Sequence, residues 1–343
     1  MSARRLGFLS FGHHQNARGA SARTAGEALT QGIEIAEGAE ALGLDGAWSR
    51  VHHLQRQFSS PWSLLAAIAA RTSRIEIGTA VIDMRYENPL LMAELAASAD
   101  LIGGARLQLG LSRGSQEPAL RGYERFGFHP RAGQSAADMA REHTETFRAA
   151  IAGDPVAHTD PAETGRSAPL SIEPHSPTLS ERIWWGSATR QSAQWTGEQN
   201  LNLLSSTLLS EDTGIPFTEL QAEQIRTFHA ARIAAGHPGA RRVAVVRSIL
   251  PILSQRDADL YGGAADSSRE QVGVLGGAVS RFGKSYIGEP DRIIDELLRD
   301  EAVMSADTLL VAIPNILGPE HNLRLLEGVR DHIAPAIGWT PSV

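Results

Sequence analysis

Short apolar runs alternate along the chain with longer stretches in which apolar residues recur at helical spacing. The first apolar run spans residues 5–12 (RLGFLSFG) and is closed by a glycine, as expected for a buried strand. In the stretch that follows, Ile35, Ala39 and Leu42 fall on one helical face, and Gly43 stands where a helix would stop. The pattern predicts a strand–helix unit at the start of the chain.

The same unit recurs at intervals of roughly 30 residues. The next predicted strands are LDGAWSRV, SRIEIGTAVIDM and ARLQLGLSRG, and the helices between them are SPWSLLAAIAART and NPLLMAELAASADLIGG. The rhythm resumes in RIWWGSATRQSAQWTGEQNLNLLSS, RRVAVVRSILPIL and ADTLLVAIP, and it ends in an amphipathic helix that carries Leu323, Leu326, Val329 and Ile333. Such alternation predicts parallel strands joined by crossover helices.

Two stretches interrupt the rhythm without forming a linker between domains. Residues 153–182 are rich in Pro, Ser and Thr and predict an insertion without regular structure, and residues 254–284 are Gly-rich and polar at first. Eight strand–helix units fill about 250 residues, and the two insertions account for most of the remainder. We therefore predict one α/β domain over residues 1–343, a (β/α)8 TIM-type barrel with insertions after the fourth and seventh strands, rather than two doubly wound domains.

Composition narrows the classes of function. The 343 residues are 42% hydrophobic and 21% charged, which is ordinary for a globular protein. A formal net charge of −7 without a Lys/Arg-rich run argues against binding to nucleic acid or to anionic membranes. Because cysteine is absent, disulfides, thiolate nucleophiles and Cys-based metal sites are excluded. The chain has neither a signal-peptide pattern nor a run long enough to span a bilayer, so we expect a cytoplasmic protein.

Chemistry-bearing residues stand at the predicted carboxyl ends of strands, where βα barrels place their sites. The second strand ends in His52 and His53, and the fourth ends in Ser112-Arg113-Gly114-Ser115. Arg113 beside a glycine suits a phosphate, although a surface ion pair with Glu117 explains it equally well. The turn Gly186-Ser187-Ala188-Thr189 opens a helix and offers backbone N–H groups and hydroxyls to an anion, although either hydroxyl residue also suits a simple N-cap.

Metal and dinucleotide signatures are missing. No G-x-G-x-x-G opens a helix, and no Walker A or HExxH motif is present. His52 and His53 are neighbours on a strand and so point to opposite faces, and His143 in REHTE has no evident partner. We therefore expect no metal site.

The ordered motifs resemble the bacterial luciferase-like family of flavin-dependent monooxygenases. The resemblance rests on EGAEALGLDGAWSRVHH, on ARTSRIEIGTAVIDMRYENPLLMAELAASADLIGGARLQLGLSRG, on WWGSATRQSAQWTGEQNLNLL, and on the later pieces YIGEPDRIIDELL and ADTLLVAIP. It covers most of the chain and implies a barrel that binds FMN at its carboxyl-terminal mouth, usually in a homodimer.

The resemblance also implies roles for individual residues. Arg113 grips the flavin phosphate, Ala80-Val81 lies under the isoalloxazine ring at a position where the family often has a non-proline cis peptide, and His52 is the active-site histidine. Ser112 lies beside the ring, and Trp184 lines it. The complete cofactor-binding set implied is Ala80, Val81, Ser112, Arg113, Gly114, Ser115, Trp184, Gly186, Ser187, Ala188, Thr189 and Arg190.

Three departures from the family pattern stand near this set. Val51 replaces the acidic residue that precedes the two histidines, and Arg50 occupies a position more often apolar. Arg50 is suited to pair with an anionic substrate or with the flavin itself. Where relatives can have a second phosphate-binding arginine, this chain has Gln134-Ser135, with Arg131 nearby.

The leading functional hypothesis is therefore an FMN-dependent monooxygenase of the two-component type. A separate flavin reductase supplies reduced FMN, which reacts with O₂ to oxidise a small organic substrate, and the two insertions are candidate lids. Two alternatives stay open at this point. One is a deazaflavin-dependent dehydrogenase on the same fold, and the other is a non-catalytic flavin-binding protein.

Overall fold

Eight parallel strands close into a barrel in the computed structural model, which describes residues 4–114, 117–211, 213–263, 269–275 and 278–341. Each strand pairs with the next along the chain, and the eighth strand pairs with the first to close the ring. The TIM-type barrel predicted from the sequence is confirmed. The barrel strands are β1 Arg5–Ser10, β2 Gly46–Ser49, β3 Glu76–Asp83, β4 Leu107–Ser112, β5 Ile183–Ser187, β6 Asn202–Ser205, β7 Val243–Pro251 and β8 Thr308–Ala312.

Helices cover the outside of the barrel, and two of the long ones begin at well-formed caps. Thr24 and Ser135 each accept a hydrogen bond from the backbone three residues on, and the acidic residue there bonds back to the cap. Among the described residues, no helix is long and apolar enough to cross a membrane. The helices are α1 Ala25–Ala41, α2 Trp62–Arg71, α3 Pro89–Ile102, α4 Ala136–Ala152, α5 Pro161–Thr164, α6 Arg190–Glu198, α7 Phe217–Ala234, α8 Gln255–Tyr261, α9 Pro290–Leu298, α10 Glu301–Ser305 and α11 Gly318–His332.

A polar and aromatic cluster fills the amino-terminal end of the barrel. Glu76, the first residue of β3, accepts hydrogen bonds from both terminal nitrogens of Arg242 at 2.8 and 3.0 Å and from the Gln108 amide at 3.2 Å. The Trp184 indole donates to Gln108 at 2.8 Å, lies under the Arg242 guanidinium and meets Trp48 edge-on. The cluster closes this end of the barrel, so the accessible interior lies at the opposite, carboxyl-terminal mouth.

The first insertion lies at the closed end, which makes the lid hypothesis for it wrong. Residues 153–182 follow α4 and lead back to the start of β5, so the rise of the helix carries them away from the mouth. At their end, Arg182 donates to Asp100, near the end of α3, at 2.6 and 2.9 Å and to the carbonyl of Leu107, the first residue of β4, at 2.8 Å. Part of the segment is regular, since Ala157–His158 and Pro169–Leu170 form a short hairpin.

The second excursion follows a strand and therefore begins at the mouth. After α8, the strand Gln271–Leu275 pairs with Ala278–Phe282, which in turn pairs with Leu208–Leu209 in the loop after β6. Ser285–Gly288 then runs parallel to the carboxyl-terminal half of β7. Residues 264–268 and 276–277 of this excursion lie outside the described residues.

A buried ion pair holds the return of this excursion to the barrel wall. The Arg247 guanidinium on β7 donates to Asp300 at 2.7 and 3.1 Å, and the Tyr286 hydroxyl donates to the same carboxylate at 2.5 Å. Asp300 also accepts from the backbone of Ala302 and Val303 at the start of α10. The arginine and its other partners keep the pKa of Asp300 below its ordinary value in spite of burial.

We predict that Asp300→Ala lowers the free energy of unfolding by about 3–5 kcal/mol, because it leaves Arg247 buried without a counter-charge. Chemical denaturation monitored by circular dichroism measures the change. The matched control is Arg226→Ala, which removes an exposed partner of Glu301 one residue further along the chain and should cost less than about 1 kcal/mol. Equal losses in the two variants would contradict the prediction.

Candidate active site

A cavity of about 310 Å³, counted out to its open mouth, lies at the carboxyl-terminal ends of β2, β3 and β4. It brings together His52, Val81 and Ser112, which the sequence places on three different strand ends. The full lining is Arg50, Val51, His52, His53, Val81, Asp83, Tyr86, Ser112 and Glu117.

The floor of the cavity is formed where β3 departs from regular pairing with β4. The Ala80–Val81 peptide bond is cis, as the family resemblance implied. A Cβ atom added to Gly110 or Gly186 would lie 3.1 or 3.0 Å from a methyl group of Val81, so two neighbouring strands present glycine to this side chain. The two glycines therefore leave the room that the Val81 side chain occupies, since a larger side chain at either position would press against it.

Arg50 and His52 form a hydrogen-bonded pair beside this floor. The Arg50 Nε donates to His52 Nε2 at 2.9 Å, and its Nη1 donates to the Ala80 carbonyl at 3.3 Å. Burial, the charge of Arg50 and the nearby His13 and His53 lower the pKa of His52 to about 4. At neutral pH the imidazole is therefore uncharged, and its Nε2 lone pair accepts from Arg50.

His53 packs in a different direction from His52. Its ring stacks on Tyr86 with centroids 4.3 Å apart and meets Phe126 edge-on at 5.2 Å. Burial lowers the pKa of His53, with Asp83 opposing the shift. His52 and His53 lie in the loop after β2 and not on the strand, so the alternation assumed from the sequence does not apply: both line the cavity, and His53 orders its aromatic wall.

A second network neutralises the carboxylates of the cavity. Asp83 accepts from Arg85 at 2.5, 3.0 and 3.1 Å, and Glu117 accepts from the Tyr86 hydroxyl at 2.6 Å and lies 3.6 Å from Arg85. Gly114 makes room for this network, because a Cβ there would lie 2.1 Å from the Arg85 guanidinium. Glu117 is thus engaged by Tyr86 and Arg85, and the surface pair between Arg113 and Glu117 considered as an alternative does not form.

Two arginines meet beyond the end of β4. The Arg113 guanidinium has no hydrogen bond or ion pair within the described ranges, and burial and the neighbouring Arg141 lower its pKa, with Asp138 opposing. Arg141 lies over the Trp195 ring at 5.9 Å and 3.7 Å from Asp138. Its Nε is buried without a partner. Among the described residues, Arg113 thus lacks a counter-charge in contact, and with Arg141 as a second, partly exposed cation it gives a local positive potential that suits an anion.

Arg131, the nearby arginine noted in the sequence, lies elsewhere. Its exposed guanidinium pairs with Glu142 on α4. The second cation beside Arg113 is therefore Arg141, two turns into the same helix, a residue that the sequence argument did not single out.

In the turn after β5, the polar groups already have hydrogen-bond partners within the protein. Thr189 Oγ1 accepts from the backbone N–H of Ser192 at 3.1 Å, and the Ser187 hydroxyl donates to the Thr189 carbonyl at 3.0 Å. The Arg190 N–H donates to Glu211 at 3.0 Å, and its side chain pairs with Glu211 and Glu223. Thr189 is thus the N-cap that the alternative interpretation described, and carboxylates already occupy the donors of Arg190.

Of the other residues expected to bind the cofactor, some lie at the carboxyl-terminal mouth of the barrel and Trp184 does not. Leu111 pairs with Trp185, so Arg113, just beyond β4, and Ser187, the last residue of β5, lie at the ends of adjacent strands; Gly186 is on β5 and Ala188 directly follows it. Trp184 does not line the mouth: it is fully buried in the cluster that closes the amino-terminal end, because its side chain alternates inward one layer below Gly186. Ser115 lies outside the described residues.

Several cavity residues escaped the sequence argument although the chain carried a signal for them. Asp83 is the last residue of β3, and Arg85 and Glu117 stand in the loops after β3 and β4, where charged residues are expected to reach a barrel mouth. His13 follows β1 in the same way and contributes to the lowered pKa of His52. Arg141 gave a weaker signal, since only the direction of α4 reveals that its first turns face the mouth.

A model of the luciferase-like monooxygenase family matches residues 5–298. The chain belongs to this family. Membership confirms the class of enzyme expected from the sequence, a flavin-dependent oxidoreductase. Over 92 residues the chain is 35% identical to the 4-hydroxyprotoasukamycin monooxygenase of Streptomyces nodosus subsp. asukaensis, and the match covers 26% of this chain and 25% of that protein. The chain thus spans about a quarter of the length of this curated relative.

Solved structures of the family share the barrel over nearly the whole chain. The oxygenating constituent of 3,6-diketocamphane monooxygenase from Pseudomonas putida, a type II Baeyer–Villiger monooxygenase in complex with FMN, superposes with a TM-score of 0.71 at 19% identity, covering 99% of this chain and 100% of that chain. The coenzyme F420-dependent tetrahydromethanopterin reductase of Methanopyrus kandleri gives 0.66 at 16% identity, covering 98% and 100%.

We predict that His52 makes the fold sensitive to acid. Its pKa falls from 6.5 to about 4 on folding, so the unfolded chain binds more protons and stability is lost as the pH falls through this window. In His52→Gln, which retains an acceptor for Arg50, the melting temperature should fall less between about pH 7 and about pH 5 than in the wild type.

His158→Gln, a change at an exposed histidine of the hairpin, is the control and should melt like the wild type at both pH values. Glu87, whose pKa burial raises to about 7, contributes with the opposite sign in every variant, so the comparison isolates His52. An unchanged acid response in His52→Gln would show that the histidine is not the titrating group.

Proposed function

We propose that the protein is the oxygenase component of a two-component, FMN-dependent monooxygenase that acts on a small organic substrate. The observation that carries the proposal is the partly buried Arg113 guanidinium, unpaired among the described residues and with Arg141 as a neighbouring cation, beside the cavity at the mouth of the barrel. The FMN complex of a structural neighbour described as an oxygenating constituent supports both the cofactor and the need for a separate reductase.

The residues present fit FMN. Arg113 and Arg141 would hold its phosphate, since charge-assisted hydrogen bonds from guanidinium groups favour that anion. The flat ring would lie against Val81 and Ser112, in the cavity at the carboxyl-terminal ends of β3 and β4. When bound, the flavin supplies the redox chemistry with O₂, and the reductase supplies its electrons.

The residues of the chain itself would bind and orient the cofactor and the substrate and would exclude water from them. Ser112 lies in the cavity wall, its hydroxyl 3.2 Å from the donating N–H of Gly114, at the strand end nearest to Arg113. His52 stays uncharged at neutral pH and holds Arg50 through its Nε2. The second excursion, which leaves the barrel at the mouth, is the segment placed to cover a bound ligand. The homodimer implied by the family resemblance stays a prediction.

We predict that Arg113→Ala and Arg141→Ala each weaken the binding of reduced FMN by about 10- to 100-fold, the value of one hydrogen bond to a charged group. Anaerobic fluorescence titration measures the affinity. Riboflavin, which has no phosphate, should lose little affinity in either variant, so the preference of the protein for FMN over riboflavin should shrink.

Arg131→Ala removes a neighbouring guanidinium that already pairs with Glu142 and is the matched control. It should bind FMN as the wild type does. If Arg113→Ala keeps the wild-type preference for FMN over riboflavin, the phosphate lies elsewhere and the proposal loses its main support.

A deazaflavin-dependent dehydrogenase is the second candidate, favoured by the F420-dependent reductase among the structural neighbours. Both cofactors carry a phosphate, so Arg113 and Arg141 suit either of them. We predict that the protein binds FMN in preference to F420 in competitive titrations read by absorbance. Oxygen consumption with reduced FMN and a panel of organic substrates supplies the second measurement, and tighter binding of F420 without oxygen consumption would favour the dehydrogenase.

A further inference from the structure

Arg50 is fixed in the cavity wall by its backbone and by two side-chain hydrogen bonds. It follows the last residue of β2, and its N–H donates to the Ser10 carbonyl of β1 at 2.8 Å. The side chain crosses to β3, where Nη1 donates to the Ala80 carbonyl. Nε donates to the neutral imidazole of His52. The guanidinium plane is therefore held from two sides in a half-buried position.

The edge of Arg50 formed by Nη1 and Nη2 keeps donors to spare. In the described ranges Nη2 makes no hydrogen bond, and Nη1 uses one of its two hydrogens on Ala80. This edge presents two parallel N–H groups, the geometry that binds a carboxylate end-on through both oxygens.

The charge of Arg50 is not neutralised by a neighbouring side chain. Asp83, which acts on Arg50 only at longer range, is chelated by Arg85, and Glu117 is engaged by Tyr86 and Arg85. No carboxylate of the described residues lies within ion-pair distance of Arg50. Desolvation lowers its pKa, so hydration compensates the charge only in part. Among the described residues, Arg50 is thus a cation of the cavity without a carboxylate in contact, since Asp83 and Glu117 both engage Arg85.

We propose that Arg50 binds the carboxylate of the substrate, which makes the enzyme specific for small organic acids. The bound carboxylate would offset the charge and take the free donors, and the apolar side of the cavity at Val51 and Val81 would receive the rest of the molecule. This inference rests on the proposed function for the reaction, whereas the binding of the anion can be tested without flavin.

Binding of matched acids and amides to the flavin-free protein tests the proposal. The probes are benzoate, cyclohexanecarboxylate and hexanoate, each compared with its neutral amide by saturation-transfer NMR and calorimetry. At least one acid should bind about tenfold or more tightly than its amide. In Arg50→Gln this preference should disappear. In Arg50→Lys, which keeps the charge but loses the two parallel N–H donors of the guanidinium, it should be reduced.

Arg56→Gln is the matched control, because Arg56 is an exposed arginine of the same loop that does not line the cavity. It should keep the full preference for the acid. A wild-type protein that prefers none of the acids over its amide would overturn the proposal, and so would an Arg50→Gln variant that keeps the preference.

The anionic ring of reduced flavin is the other source of negative charge that Arg50 could meet. In that case Arg50→Gln would weaken the binding of reduced FMN by about tenfold or more and leave the acid-to-amide ratio unchanged, which would also overturn the assignment to substrate. We expect instead that the affinity for FMN changes by less than about twofold. If Arg113→Ala fails to weaken FMN binding, the cofactor proposal falls, yet the acid preference of the flavin-free protein still decides the role of Arg50.

Discussion

The closed ring of backbone hydrogen bonds among eight parallel strands is the constraint from which the rest of the structure follows. Because all strands run in one direction, their carboxyl ends meet at one rim, and the residues just beyond them are brought together whatever their distance in sequence. The cluster of Glu76, Arg242 and Trp184 fills the opposite end. Access to the interior is thereby confined to the rim that carries Arg50, His52 and the end of β4.

The distribution of charge on this rim gives the cavity its character. Acidic groups are present but engaged, since Asp83 and Glu117 are held by Arg85 and Tyr86. Among the described residues, two cationic positions are left without such partners, Arg50 at the end of β2 and Arg113 beyond β4, with β3 and its Val81 between them. A ligand, or a cofactor and a substrate together, with negative charge at two separated points suits this arrangement better than a neutral molecule does.

Part of the fold could be predicted from the sequence, and part of it could not. The alternation of apolar runs and amphipathic stretches was sufficient for the barrel, because each strand must be apolar to be buried and each helix needs one apolar face. The same pattern does not say at which end of the barrel an insertion lies. Residues 153–182 come after α4 and not after β4, so Arg182 fastens them to Asp100 at the closed end. Their composition suited a lid, but their place after a helix excluded it.

For the site, the sequence by itself determined which residues stand at strand ends, since that depends only on local periodicity: His52, Ser112, Arg113 and the turn at Ser187. Only the tertiary structure decided how these side chains are used. Whether a guanidinium is free depends on carboxylates brought to it from other parts of the chain: Glu211 is brought to Arg190, whereas none of the described residues forms an ion pair with Arg113. Ion pairs and desolvation act through space over a few ångströms, and periodicity along the chain carries no information about such distances.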